Sequence, residues 1–222
     1  MTADQTGQQQ LLQTAAEQLG VDLSPGQSAA LLAYMAMIGK WTKVYNLTAV
    51  RDPAEMMTHH LFDSLAAIVP LRRYLQQAGL DQGVRLLDVG SGAGLPGIVI
   101  AICCPEVQVS CVDTVAKKAA FIKQAALELK LPNLTGLHAR VESLTGPFDV
   151  MCSRAFASLP DFTKWSVNAL AQDGVWLAMK GKHPADELAA LPASVDVFHV
   201  EQLQVPGLLA ERCIVWMRQG AA

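Results

Sequence analysis

The stretch Val84-Arg85-Leu86-Leu87-Asp88-Val89-Gly90-Ser91-Gly92-Ala93-Gly94-Leu95-Pro96-Gly97 decides the fold. Its apolar beginning, Val84 to Val89 with Arg85 near the start, reads as a buried strand. Three glycines on alternate positions follow, and an apolar helical pattern opens at Leu95. Glycines there let the backbone turn sharply and let a ligand approach the main chain without meeting a Cβ. Pro96 suits the first turn of the following helix, where a missing N–H costs nothing. The free N–H groups of that turn are expected to face whatever sits above the strand, so the segment reads as a cofactor-binding loop.

Two cofactors fit such a loop. Gly92, Gly94 and Gly97 can be spaced as a dinucleotide fingerprint, with Asp113 as the acid after a second strand, which suits NAD. That spacing starts two residues late and leaves Asp88 without a role. Read as D-x-G-x-G-x-G, every element has one. Asp88 orients the turn or meets an ammonium through water, Gly90, Gly92 and Gly94 line a methionine-like moiety, and Asp113 binds ribose hydroxyls. This second pattern favours S-adenosyl-L-methionine.

The rest of the composition is compatible. The chain has 222 residues, 51% hydrophobic and 17% charged, enough for a sizeable core and too apolar for a disordered chain. A net charge of −3 argues against wholesale electrostatic adhesion to nucleic acid but allows a local basic rim. No apolar run approaches the length of a membrane span, so no membrane partner is expected. Cys103, Cys104, Cys111, Cys152 and Cys213 form no C-x-x-C pair and read as reduced, buried thiols of a cytoplasmic protein. No His, Cys or carboxylate set has metal-ligand spacing, so no metal is expected.

The chain divides into a helical extension, residues 1–80, and an α/β domain, residues 81–222. Met1 to Gln10 is polar and Gln-rich and is expected to fray. Ser24-Pro25-Gly26-Gln27 starts a helix whose inner face carries Leu31, Met35, Ile38 and Tyr45. Val44 to Thr48 reads as a turn, and Asp52-Pro53-Ala54-Glu55 starts a second helix facing inward at Met56, His60, Asp63 and Ala67. From Val84 onward, short apolar runs alternate with helical patterns: Gln108–Val112, Lys117–Leu129, Leu134–His138, Val150–Ser153, Leu159–Leu170 and Val175–Met179. Such alternation implies a mostly parallel sheet with helices on both faces. The runs Val195–Val205 and Cys213–Met217 then suggest a closing antiparallel hairpin.

Ligands of such sheets sit at the carboxyl ends of the strands. There the sequence places Arg140-Val141-Glu142 after the third strand, Ser153-Arg154 after the fourth and Lys180-Gly181-Lys182 after the fifth. Three consecutive strands thus end in basic residues, which a phosphate-rich substrate would need and a small apolar one would not.

At this point the residues carry a resemblance. Tyr45-Asn46-Leu47-Thr48, Arg51-Asp52-Pro53, His60-Leu61-Phe62-Asp63-Ser64, the glycine loop through Leu95-Pro96-Gly97, Ser153-Arg154-Ala155-Phe156-Ala157 and Lys180-Gly181 together resemble the bacterial RsmG (GidB) family. The likeness runs from about Leu31 to the Arg212 region. It implies a Rossmann-like class I methyltransferase fold, acting as a monomer with S-adenosyl-L-methionine. The implied target is N7 of guanine 527 in 16S ribosomal RNA, free or in a small-subunit particle. Implied cofactor contacts are Gly90, Leu95, Val141, Glu142 and Arg154.

Guanine N7 carries an in-plane lone pair and no proton, so its methylation needs positioning and electrostatics rather than a general base. Candidates for positioning the base or the RNA are Asn46, His60, Arg140, Phe156, Lys180 and Arg212. Each also has a plainer reading. Asn46 can satisfy a turn, His59 and His60 can be surface or capping groups, Phe156 can be a core aromatic, and Arg212 can pair near Glu211. Lys117, Lys118 and Lys123 read as a solvated helix face. A C5-cytosine methyltransferase using Cys152 as nucleophile, and an NAD-dependent oxidoreductase, are the alternatives. The first lacks a proline before its cysteine and the second a Tyr-x-x-x-Lys pair.

Overall fold

The apolar run before the glycines is strand β1 (Arg85–Val89), an interior strand of a seven-stranded sheet. In the computed structural model, which describes residues 3–80 and 82–220, the other strands are β2 (Gln108–Asp113), β3 (Leu134–His138), β4 (Phe148–Arg154), β5 (Leu170–Lys180), β6 (Val195–Leu203) and β7 (Arg212–Gln219). Their order is β3-β2-β1-β4-β5-β7-β6. The first five pair parallel, and β7 runs antiparallel between β5 and β6. The expected hairpin therefore closes the sheet, with β7 inserted next to β5. Strand order reverses between β1 and β4, where α/β sheets of this kind open a crevice for a ligand.

Alternation along the strands sends side chains to two apolar layers. Leu86, Cys111, Cys152 and Leu177 point to one, and Leu87, Val112, Met151 and Trp176 to the other. The first layer is covered by α1 (Ala3–Gln18), α2 (Pro25–Tyr45), α5 (Ile68–Gln77), α6 (Gly97–Cys103) and α7 (Ala116–Glu128). The second is covered by α8 (Leu159–Ser166), with the short α9 (Ala185–Ala189) beside it. One apolar cluster runs without a break from Leu12, Leu31 and Leu65 in the N-terminal helices to Leu86 and Val150 in the sheet.

The N-terminal signals fold as their chemistry dictates, with three shifts. Ser24 and Gln27 form a reciprocal capping box with Pro25 in the first turn, and Gln27 also donates to the Ile102 and Cys103 carbonyls at the end of α6. Residues 3–10 are helical rather than frayed, because α1 continues to Leu12, Ala15 and Ala16 in the core; Met1 and Thr2 lie outside the described residues, as does Asp81 at the expected boundary. Helix α2 runs on to Tyr45 before Asn46 caps it in the left-handed conformation, so the turn starts later than expected and Tyr45 is exposed against Trp41. Finally, β5 begins at Leu170, where the preceding helix was expected to end.

The second helix is not uniform. Asp52 caps α3 (Pro53–Met56) through the Ala54 and Glu55 N–H groups, a π-helical turn follows over Met57–Phe62, and α4 (Asp63–Leu65) resumes the ordinary pitch. Single π turns inside helices recur at functional sites. Here Met56, His60, Asp63 and Ala67 are all buried, which places an imidazole and a carboxylate beside the carboxyl end of β4 and the start of the antiparallel β7.

Candidate active site

The glycine loop is held from beneath by two carboxylates. Asp88, fully buried, accepts the Gly97 N–H at 2.8 Å; the Ile98 N–H goes to the Gly94 carbonyl. The first N–H groups of α6 are thus taken, and α6 starts at Gly97 rather than Leu95. Asp88 stands in register with Cys111 on β2 and Cys152 on β4, its Oδ1 has no hydrogen-bond partner, and burial pushes its carboxyl up to about 7 against the opposing pull of the Gly97 bond and Arg154. It orients the turn and does not line the cavity above it. Asp113 does the same one strand over, its Oδ2 accepting the Gly92 N–H at 3.0 Å and its Oδ1 the Val115 N–H at 2.8 Å.

The three glycines divide their work. Gly90 has φ +67°, and a Cβ there would overlap the Phe156 ring; Gly94 has φ +88° and would meet Ile98. Those two positions need glycine for packing inside the protein, and Gly90 also borders the space above the loop. Gly92, with φ +59° and nothing within 4 Å of its Cβ position, faces open space. Phe156 crosses Phe162 and Trp165 edge-on at 6.3 and 5.9 Å, so it roofs Gly90 as part of an aromatic cluster.

Two cavities meet at this loop, sharing Gly90, Lys118 and Ala155. One, of about 440 Å³, runs over the ends of β2 and β3 and is walled by Val112, Asp113, Val141, Glu142, Phe156 and Trp165. The other, of about 520 Å³, lies over β1, β4 and β5 and takes in Thr48, His60, Asp63, Arg154, Lys180 and Arg212. The first is an apolar slot with an acid at each side, and the second is rich in donors. Leu95, buried, belongs to the second. Lys118, read as solvated, approaches Asp113 at 3.8 Å and borders both.

The basic rim is present but mostly neutralised, which alters its expected chemistry. Arg154 and Arg212 project to the same side of the sheet, where Asp63 accepts Arg154 Nη1 at 2.7 Å and Arg212 Nε at 2.9 Å. Arg154 Nη1 also donates to the His59 carbonyl, and Arg212 Nη1 to that of Glu211. Lys180 projects to the opposite side and binds Glu187 Oε2 at 2.7 Å and the Ala157 carbonyl at 2.9 Å. Glu187 also accepts the Leu159 N–H, tying β5, the 155–158 loop and α8 together. Arg140, by contrast, is 79% exposed and comes no nearer than 4.0 Å to Glu142.

His60 is buried rather than superficial. Its Nε2 lies 2.7 Å from Thr48 Oγ1, its Nδ1 has no partner, and burial together with Arg154 pushes its pKa below the usual value. Asn46 does not reach the cavity; it caps α2 and accepts from Arg51 Nη2 at 2.9 Å. All five cysteines are unpaired and buried, and burial holds the Cys152 thiol well above its usual pKa. Among the described residues, no group of three or more His, Cys, Asp or Glu is placed to hold a metal, and no helix is long and apolar enough to cross a membrane.

Sequence reasoning left out Asp63 and Glu187 as site residues. Asp63 had a signal: a carboxylate on an otherwise apolar helix face must find cationic or donor partners when buried. Glu187 had none, because its partners lie on β5 and at the start of α8.

Known proteins bear on this geometry directly. Residues 27–215 match the rRNA small subunit methyltransferase G family, GidB. A protein named ribosomal RNA small subunit methyltransferase G from Polaromonas naphthalenivorans is 72% identical over 218 residues, covering 98% of this chain and 99% of its own. One of the same name from Acidovorax sp. JS42 is 69% identical over 211 residues, covering 93% of each. Among solved structures, TrmN from Thermus thermophilus aligns with a TM-score of 0.56 at 20% identity over 71% of this chain and 49% of that one. A SAM-dependent methyltransferase from Aquifex aeolicus aligns with 0.54 at 16% identity, over 78% and 96%. These last two show the fold alone, a Rossmann-like class I methyltransferase sheet. This chain belongs to the rRNA small subunit methyltransferase G family and is a methyltransferase that uses S-adenosyl-L-methionine.

Proposed function

We propose that this chain transfers the methyl group of S-adenosyl-L-methionine to N7 of guanine 527 in 16S ribosomal RNA. The observation that carries this reading is the composition of the donor-rich cavity beside Gly92. Among the described residues the one carboxylate on its wall, Asp63, is 4% exposed and ion-paired through a different oxygen to each of two arginines. An exocyclic amine would need a proton acceptor, whereas N7 presents a lone pair and needs only alignment. A C5-cytosine mechanism needs a thiolate, and Cys152 is fully buried and held as a thiol.

The residues present fit the cofactor. The apolar walls of Val141 and Phe156 suit an adenine, and Asp113 and Glu142 flank the slot with acceptors for ribose hydroxyls. Asp113 oxygens that already take one N–H each retain lone pairs for this. The open backbone at Gly92, with Leu95 and Ala93, continues the groove toward the donor-rich cavity, where the methionine end and target base meet. Bound there, the cofactor supplies an electrophilic methyl group. Arg154 meets the methionine end from the wall of the donor-rich cavity, and Asp88 supports the loop from below. His60, Lys180 and Arg212 border the base side, and Arg140 the RNA side. The helical extension, residues 1–80, adds the RNA-side wall through Leu47, Thr48, His59 and His60. The same reading makes the working form a monomer in the cytoplasm, acting on the RNA alone or in a small-subunit particle.

Mapping N7-methylguanosine in small-subunit RNA, from cells with and without the protein, tests the reading. One guanine should lose its methyl group in the absence of the protein. An unchanged map, or loss of a methyl group on another atom or base, overturns it.

A further inference from the structure

We infer that Asp63 is a positioning residue that sets base specificity: it fixes the Arg154 and Arg212 guanidinium groups in the cavity wall so that their remaining N–H groups meet O6 of the target guanine. The inference rests on the reading of the target as a guanine methylated at N7.

The geometry begins with the helix. Asp63 follows the π-helical turn Met57–Phe62, and its side chain is 4% exposed. Each carboxylate oxygen holds a different arginine, one from the end of β4 and one from the start of β7. Strand alternation aims both arginines to this side of the sheet, whereas Lys180 points to the other and is held by Glu187. Nε and Nη2 of Arg154 and Nη2 of Arg212 make no hydrogen bond among the described residues, yet both arginines line the cavity beside Gly92. The two guanidiniums are thus locked at one edge and unsatisfied at the other.

That wall matches one purine edge. Guanine presents two adjacent acceptors, N7 and O6, whereas adenine places an N6 amino donor beside N7. With N7 turned to the methyl group, O6 is the neighbouring atom and needs donors. An adenine amino group would face N–H against N–H at the unbonded edges of the two guanidiniums, while Asp63 is 4% exposed behind them with an arginine on each oxygen. Burying polar groups without partners is the discrimination that a site built on hydrogen bonds provides. Asp63 also offsets one of the two positive charges standing near the cationic cofactor.

The test compares two RNAs that carry either guanine or 2-aminopurine, which keeps N7 but lacks O6, at the target position. Intrinsic N7 reactivity differs between the bases, so variant is compared with parent on each RNA separately. Asp63→Ala should lower kcat/KM on the guanine RNA by about 10–100-fold. On the 2-aminopurine RNA the same change should matter less than about threefold, and calorimetric affinity for S-adenosyl-L-methionine should stay within about threefold of the parent's. Asp63→Asn, which keeps one acceptor oxygen, should lie between. Arg212→Lys, at the partly exposed end of the network, provides the same comparison if Asp63→Ala does not fold. Equal losses on both RNAs overturn the inference, because a purely structural or phosphate-binding role affects both bases alike. A parallel loss of cofactor affinity also overturns it, since the arginines would then serve the cofactor. A parent enzyme that methylates no guanine N7 overturns the proposed function as well; equal losses leave that function standing.

Discussion

The two halves of the strand-end crevice are built from different materials. Over β1 and β2 the wall is backbone: a glycine turn pinned by Asp88 and Asp113, whose carboxylates take N–H groups of Gly97, Gly92 and Val115. Over β4, β5 and β7 the wall is side chains: cations held by carboxylates that come from helices. A backbone wall has almost no tolerance, because its shape is the chain itself. A side-chain wall can lose a member and keep the fold, at the cost of its electrostatics. The first shapes a site for an invariant small molecule, and the second can be tuned to a substrate.

The sharpest break of this contrast is at Gly90. Gly90→Val forces a branched residue to φ +67° and drives its Cβ into the Phe156 ring. Backbone strain and overpacking together should cost about 2–6 kcal/mol of stability in chemical unfolding. Cofactor binding should fall with it. Adding Phe156→Ala should recover part of the loss by opening space, but not the part due to φ. Full recovery would mean the backbone conformation carries no strain, and no recovery would mean Phe156 is not the obstacle.

Asp88 gives the next effect, readable as a pH dependence. Burial raises its pKa from 3.8 to about 7, so between those values the folded state binds a proton that the unfolded state has released. Stability from this group is therefore full below about pH 4, falls as pH rises, and reaches its lowest value above about pH 7. The span is on the order of a few kcal/mol. His60, with its depressed pKa, contributes the opposite slope below its unfolded value, because the unfolded chain takes up the proton first. Asp88→Asn keeps an acceptor for the Gly97 N–H and removes the titration, and the His60 contribution cancels between variant and parent. The stability of the Asp88→Asn variant minus that of the parent should grow from pH 5 to pH 8. A constant difference would show that Asp88 is ionised throughout.

On the side-chain wall, Lys180→Ala removes an ion pair to Glu187 and a bond to the Ala157 carbonyl, with the lysine side chain 16% and the glutamate 34% exposed. The partly screened pair and one hydrogen bond amount to about 1–2 kcal/mol. The loosened 155–158 loop should show faster amide exchange, while the glycine loop should not change. Equal acceleration in both would erase the distinction between the two walls.

That distinction also explains what was legible in the sequence. The glycine wall could be read because its parts are local: Asp88 reaches Gly97 nine positions on, and Ser24 reaches Gln27 within one helical turn. Apolar runs likewise announced the strands, although β5 starts at Leu170, ahead of the expected Val175. The destinations of the basic residues could not be read in this way. Arg154 and Arg212 stand 91 and 149 positions from Asp63, and a sequence shows charges without showing which of them neutralise one another. The rim therefore looked more positive than it is. Nor could the glycine pattern show that two of its positions, Gly90 and Gly94, also make room for Phe156 and Ile98, which lie 66 and 4 positions away.

The smallest effect belongs to Arg140, and it separates a cation held by the fold from one left to a partner. Its side chain is 79% exposed and the carboxylate paired with it, Glu142, is 4.0 Å away, so Arg140→Ala should change stability by less than about 0.5 kcal/mol. Affinity for S-adenosyl-L-methionine should also hold, because Arg140 borders the slot with a side chain that is 79% exposed, while Val141, Phe156 and Asp113 form its walls. What should change is the salt dependence of RNA binding. An arginine that meets one phosphate releases about one counterion, and its loss should flatten the log–log slope by about 0.7–0.9. Lys180→Ala should flatten it less, because that ammonium is already bound to Glu187 in the free protein. Salt-titrated RNA binding of the two variants decides the point. A larger change for Lys180 than for Arg140 would mean that the Glu187 pair opens on RNA, and that the side-chain wall is rebuilt by its substrate rather than presented ready-made.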